Sequence, residues 1–211
     1  MTVAARCFVV AALLGCCALA VAASNEPREE NVPLDGRSVQ NGDFTPINNL
    51  RLHLRDGDYR IVASDSDDIT IRTDGKNREG ARKVKVLLKR TGDSLDITLT
   101  HVPKNECQVT IAVPRETNLY ARMRAGDLSV NGVTGDKDLE LLAGDLSIQT
   151  NAAEYGPVDL SVKFGDVSGG EFGSAKGTVG NSLRRDGNGK YRLHAHVFAG
   201  DLTLRTSGST F

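Results

Sequence analysis

Tryptophan is missing from this chain, and Phe and Tyr together make up only 5% of its 211 residues. Sugar-processing clefts usually present aromatic rings to their substrate, so this scarcity argues against one built on stacked rings. A basic run is missing as well. With a net charge of −1 and no cluster of Lys and Arg, the chain lacks the electrostatic footprint of a nucleic-acid binder, so no nucleic-acid partner is expected. No segment carries apolar residues at helical spacing, which excludes a helical bundle. The sequence also contains no Gly-x-Ser-x-Gly elbow, no Cys-x-x-Cys and no His-Glu-x-x-His, the short motifs that carry nucleophilic or zinc chemistry.

Cysteine is scarce where it would count. Cys7, Cys16 and Cys17 fall in an N-terminal stretch with the marks of an export signal: Arg6, an apolar run from Phe8 to Val21, and small residues at Ala20, Ala22 and Ala23. Residues 1–23 therefore read as a signal peptide, with an apolar run of ~14 residues that falls short of the ~20 needed to span a bilayer. After processing the chain is not expected to be transmembrane. Leu13-Leu14-Gly15-Cys16 also resembles a lipobox, which would leave Cys16 lipidated, but cleavage at Ala22 or Ala23 is the main expectation. Only Cys107 then remains. A single cysteine forms no internal disulfide, and its alternation with Val109 and Ile111 makes it a buried strand residue.

What the chain does have is a repeated phrase. Ala125-Gly126-Asp127-Leu128-Ser129-Val130 recurs as Ala143-Gly144-Asp145-Leu146-Ser147-Ile148, as Phe164-Gly165-Asp166-Val167-Ser168, and as Ala199-Gly200-Asp201-Leu202-Thr203-Leu204. A degenerate copy, Gly180-Asn181-Ser182-Leu183, fills the longest gap and gives a mean step of about 18.5 residues. That is too short for helical-hairpin repeats or propeller blades, and fits one coil of a β-solenoid. After each Gly-Asp the residues alternate apolar and polar, so one side of each strand faces a core. Glycine accepts positive φ and aspartate bonds to nearby amides, which makes each pair a corner between strands.

Residues 24–46 are polar and rich in Asn, Glu, Pro and Gly, and read as a linker or loosely ordered segment. Period-2 alternation then begins at Leu50, Leu52 and Leu54 and continues through Val109, Ile111 and Val113. The fold expected over residues 47–211 is all-β, a single-stranded solenoid with Gly-Asp corners, with a β-sandwich of hairpins as the other arrangement. Two further pairs, Gly57-Asp58 and Gly92-Asp93, lie about two coil steps apart and join the corner series.

Val109-Thr110-Ile111-Ala112-Val113-Pro114, then Asn118-Leu119, then the Gly-Asp-Leu-Ser-Val series, resembles the bacterial putative-adhesin family of unknown function, exported β-solenoid domains related to auto-transporter head domains. The likeness covers roughly Leu50 to Thr206. It implies a fold and a periplasmic or cell-surface setting, and brings no catalytic residue with it.

The remaining chemistry is thin. His194 and His196 share a strand face at metal-like spacing, but no third ligand is near in sequence, so they read as the outward set of an amphipathic strand. The corner aspartates suggest calcium, yet the nine-residue Gly-Gly-x-Gly-x-Asp period is absent and a structural turn fits better. Phe211 ends the chain as in outer-membrane barrels, without the alternating strand that should precede it. Arg184, Arg185 and Asp186 form the one polar cluster off the repeat pattern. The expectation is a non-catalytic structural or interaction module without metal or cofactor, meeting an envelope protein or glycan partner. Gly126, Asp127, Gly144, Asp145, Gly165, Asp166, Gly200 and Asp201 are its structural corner residues. A polysaccharide lyase or hydrolase on the same scaffold is the other function class.

Overall fold

The computed structural model describes residues 28–30, 48–75, 84–103, 107–177 and 179–206. The signal segment, Cys16 and the residues after 206 lie outside these. So does residues 24–46, apart from a short strand at Arg28–Glu30.

The alternating segments form strands β1 (Arg28–Glu30), β2 (Asn49–Asp56), β3 (Asp58–Ser64), β4 (Thr70–Gly75), β5 (Lys85–Thr91) and β6 (Ser94–Thr100). They continue as β7 (Cys107–Pro114), β8 (Asn118–Ala125), β9 (Leu128–Asn131), β10 (Lys137–Ala143), β11 (Leu146–Thr150) and β12 (Tyr155–Phe164). The last are β13 (Val167–Ser168), β14 (Ser174–Ala175), β15 (Asn181–Arg185), β16 (Tyr191–Ala199) and β17 (Leu202–Thr206). Short 3-10 turns at Ala152–Glu154 and Gly170–Phe172 are the only helical pieces among the described residues.

The protein is all-β, with two mixed sheets ordered β1-β5-β6-β2-β8-β10-β16-β12-β15 and β14-β13-β17-β11-β9-β3-β7-β4. In the first sheet β6, β2, β8, β10, β16 and β12 run parallel, β15 lies antiparallel beside β12, and β5 lies antiparallel beside β6 with β1 antiparallel outside it. In the second β7, β3, β9, β11, β17 and β13 run parallel, with β4 and β14 antiparallel outside them. Each Gly-Asp corner carries the chain from one sheet to the other: β2 to β3, β8 to β9, β10 to β11, β12 to β13 and β16 to β17.

Register fixes the core, because in-phase parallel strands stack equivalent inward residues on one another. Leu95, Leu50, Leu119, Lys137, Leu193 and Val158 form one such row in the first sheet. Val109, Tyr59, Leu128, Leu146, Leu202 and Val167 form its counterpart in the second. All are buried. Burying each apolar side chain in these rows contributes about 1.5–3 kcal/mol. Cys107 is buried as expected, a free thiol at the head of β7.

The order of stacking differs from the order of the chain. β16 inserts between β10 and β12, so the Gly165 corner lies outside the Gly200 corner rather than following Gly144. No coil stands between Asp166 and Asp201. The Gly180-Asn181-Ser182-Leu183 copy is not a further coil either: it leads into β15, which runs antiparallel along β12 at the sheet edge. Gly92, at φ 63, is the turn of the β5–β6 hairpin and not a corner. In both cases the sequence repeats a local Gly-polar turn, while a sheet edge, with no strand beyond it, accepts an antiparallel return.

Candidate functional site

The corners form a continuous row. The N–H of Gly57 donates to Ala125 O, that of Gly126 to Ala143 O, that of Gly144 to Ala199 O, and that of Gly200 to Phe164 O, all at 2.9–3.0 Å. The spatial order is therefore Gly57, Gly126, Gly144, Gly200, Gly165. Positive φ accounts for part of the glycine requirement, +125° at Gly144 for example. Close approach accounts for the rest. A Cβ on Gly144 would run into the carbonyl of Gly126, and one on Gly200 into that of Gly144. The buried Asn181 side chain donates to the Gly165 carbonyl at the end of the row.

The aspartates hold the same edge. Asp127 Oδ1 accepts the Asp145 N–H at 3.4 Å, Asp145 Oδ1 the Asp201 N–H at 3.0 Å, and Asp201 Oδ1 the Asp166 N–H at 2.9 Å. Each carboxylate thus satisfies the amide of the next corner, the role that makes Asp and Asn favourable in turns. A second polar row, missed in the sequence, runs where the strands of the first sheet begin. Asn118 Nδ2 donates to Asn49 Oδ1 at 3.1 Å, Asn118 Oδ1 accepts the Asp136 N–H at 3.0 Å, and Asp136 Oδ1 accepts the Arg192 N–H at 2.8 Å.

The outward face of the first sheet is a lattice of charge. Arg122 reaches Asp138 at 3.2 Å and Glu140 at 3.0 Å, Arg124 grips both carboxylate oxygens of Asp56 at 2.7 Å, and Arg184 pairs with Asp159. His194 and His196 project from this face, as the alternation required. His194 Nδ1 lies 3.1 Å from Asp138 Oδ1, and His196 Nδ1 shares a hydrogen bond with Ser161 Oγ at 2.9 Å. Although register brings Asp159 and Glu140 alongside them, no group of three or more His, Cys, Asp or Glu among the described residues is placed to hold a metal. Partial burial pushes the Asp138 carboxyl up, but hydrogen bonds from Arg122 and His194 outweigh it and hold the group below its ordinary value.

One part of that face is apolar. Leu142 and Phe198 are exposed on neighbouring strands β10 and β16, and Phe164, which takes the place of Ala125, Ala143 and Ala199 in the repeat, sets its ring edge-on to Phe198 with centroids 5.5 Å apart. These residues are about half exposed, beside the ion pairs of Arg122 and Arg124. Period-2 reading hides them: Leu142 follows Leu141, and Phe198 follows Val197, so each looks like part of a buried run.

Among the described residues one lysine is buried in the interior. Lys137 is 2% exposed and stands in the leucine row between Leu119 and Leu193. Its ammonium donates to the Tyr155 hydroxyl and to Gly135 O at 3.3 Å, and sits 4.5 Å from the Tyr155 ring centre, a cation–π contact. The Tyr155 hydroxyl in turn donates a hydrogen bond to Gly135 O at 3.1 Å. Burial pulls Lys137 down to about 7, with Glu154 and Asp136 opposing, and burial pushes Tyr155 up to about 12. The alternation Lys137, Leu139, Leu141 was the sequence signal for an inward lysine.

No family model and no curated protein matches this chain. Among solved structures it is similar to a putative cell adhesion protein from Clostridium sporogenes ATCC 15579, at 12% identity and TM-score 0.48, over 86% of this chain and 99% of that one. It is also similar to a putative adhesin from Bacteroides fragilis NCTC 9343, at 11% identity and TM-score 0.24, over 85% of this chain and 96% of that one. Both are too distant to bear on function. No helix among the described residues is long and apolar enough to cross a membrane.

Proposed function

We propose that this chain is an exported β-solenoid of the bacterial envelope, periplasmic or at the cell surface, that works as a structural or interaction module without catalysis. The solenoid reading is supported by the corner connections. A single Gly-Asp step joins β2, β8, β10, β12 and β16 of one sheet to β3, β9, β11, β13 and β17 of the other, and these strands stack parallel within each sheet, whereas a sandwich of hairpins would join antiparallel neighbours.

The observation that carries the interaction role is the patch of Leu142, Phe164 and Phe198. Exposed rings and aliphatic groups gathered on one face, rimmed by ion pairs, suit a partner interface, because their burial on binding gains free energy that no intramolecular contact supplies. The enzyme class had Arg184, Arg185 and Asp186 as its candidates, and of these Arg184 is held on the outer face by Asp159.

A photo-crosslinking residue at position 142, in cells that express the chain, tests the reading. One discrete envelope adduct is expected, lost in Phe198→Ser while the melting temperature stays unchanged. No adduct, or one that is indifferent to Phe198→Ser, would sink the interface, and turnover of an acidic glycan by the purified protein would sink the non-catalytic role.

A further inference from the structure

An open cavity of about 590 Å³ lies away from the apolar patch, where β12 begins, β15 ends and the two 3-10 turns meet. Its volume falls within the ~300–1,000 Å³ of small-ligand sites. Arg185 is its cation. The guanidinium lies over the Phe172 ring, 4.8 Å from the centroid, and Phe172 packs against the hydrophobic core, so the charged group rests on an anchored aromatic support. Unlike Arg184 next to it, which is committed to Asp159, Arg185 makes no ion pair among the described residues. Alternation along β15 separates the two: Arg184 sits opposite the outward Asp159, and Arg185 opposite the inward Val158 at the end of the core.

The rest of the lining sorts the ligand. Gly156, Gly187 and Gly189 bring two backbone segments into contact, since a Cβ on Gly189 would strike the backbone at Glu154 and Tyr155 and one on Gly156 would come within 2.7 Å of Gly189 O. Their peptide groups therefore form a wall without side chains. Asn188 adds a donor and an acceptor, and Glu171 adds an acceptor only. One fixed cation among mixed donors and acceptors matches a molecule with one carboxylate and many hydroxyls. A polyphosphate would meet a single arginine and be repelled by Glu171.

From this geometry we infer that the cavity binds an acidic saccharide, with Arg185 taking the sugar carboxylate in a two-pronged hydrogen bond and Asn188, Glu171 and the glycine wall meeting its hydroxyls. The choice of an envelope glycan rests on the interaction-module reading, while the site itself is independent of the Leu142 patch, so crosslinking and sugar binding fail separately.

Calorimetric titration of the purified protein with galacturonate decides the matter, with the methyl ester of that sugar acid and inorganic sulfate as companions. Saturable binding is expected for the free acid, weakened about tenfold or more by esterification and by Arg185→Gln, and unchanged by Arg184→Gln. Asn188→Ala should weaken it less. No binding at millimolar acid, equal binding of the ester, or full displacement by equimolar sulfate would each overturn the site, the last by reducing it to a bare anion hole. The ester comparison uses the unaltered protein and so decides even where R185Q does not fold.

Discussion

The backbone N–H of Asp166 donates to Asp201 Oδ1 at 2.9 Å across a sequence separation of 35 residues. That bond places the Gly165 corner outside the Gly200 corner. The chain leaves space beside β10, builds β12, β13 and the edge strands β14 and β15, and then returns to fill the space with β16 and β17. Three successive corners are linked to their neighbours in the same manner, so the corner edge depends on the glycine row and the aspartate row together.

Gly144→Val should destabilise the protein by about 2 kcal/mol or more, because a β-branched residue is costly at φ +125° and its Cβ has no room beside the Gly126 carbonyl. Asp145→Asn should cost less than about 1 kcal/mol, since the amide oxygen still accepts the Asp201 N–H. Chemical denaturation of the two variants gives the ranking. The reverse order would mean that the carboxylates matter for their charge.

Excess calcium, or a chelator, should leave the thermal midpoint within a degree or so of the untreated protein. The Asp127, Asp145 and Asp201 carboxylates already accept backbone amides, and these three of the five corner aspartates are exposed, where water and salt screen their repulsion. A calcium-dependent rise of several degrees would replace the structural role with a cation site.

Arg122 joins Asp138 and Glu140 on the outer face but is itself 40% exposed, so Arg122→Ala should cost less than about 1 kcal/mol, and high salt should shrink the difference. The same loss leaves Asp138 partly buried with His194 as its remaining hydrogen-bond partner. Its carboxyl should titrate at higher pH in the variant, which carbon-detected NMR reads directly.

Much of this architecture was legible because it is local. Gly126-Asp127 and Gly144-Asp145 recur one strand pair apart, and alternation alone set Leu128, Val130, Leu146 and Ile148 inward. Stacking order was not legible, since a repeat period reports which segments are alike and not which of them touch: β12 and β16 both pair in phase and parallel, and only the fold puts β16 next to β10. Residue type and strand parity point opposite ways at three positions. A lysine in an alternating strand looks outward by its charge, and Leu142 and Phe198 look inward by their hydrophobicity, yet parity puts Lys137 in the core and the other two at the surface. Of the Arg185 cavity only the cation was legible, in the Arg184-Arg185-Asp186 cluster, because its wall and its aromatic support come from separate turns and strands.

Lys137 should make the protein less stable at neutral pH than at moderately alkaline pH. Burial lowers its folded-state pKa from 10.5 to about 7, with Glu154 and Asp136 limiting the drop and Tyr155 accepting its hydrogen bond. Between those two values the unfolded chain holds a proton that the folded chain has given up, so unfolding takes up a proton and stability rises with pH, by at most about 1.4 kcal/mol per unit. The rise should be measurable from pH 7 to pH 9. From about pH 8.5 upward buried acids act in the opposite sense and flatten the rise: Cys107 first, then Tyr59 and Tyr155, all pushed up by burial, ionise more readily once unfolded. Lys137→Leu completes the leucine row between Leu119 and Leu193 and leaves the Tyr155 hydroxyl bonded to Gly135 O. The variant should therefore be more stable at pH 7 by on the order of 1 kcal/mol or more and should lose the slope between pH 7 and 9. Urea midpoints at pH 7, 8 and 9 for both proteins measure the two effects, and a slope that survives in Lys137→Leu would assign the pH dependence to another group.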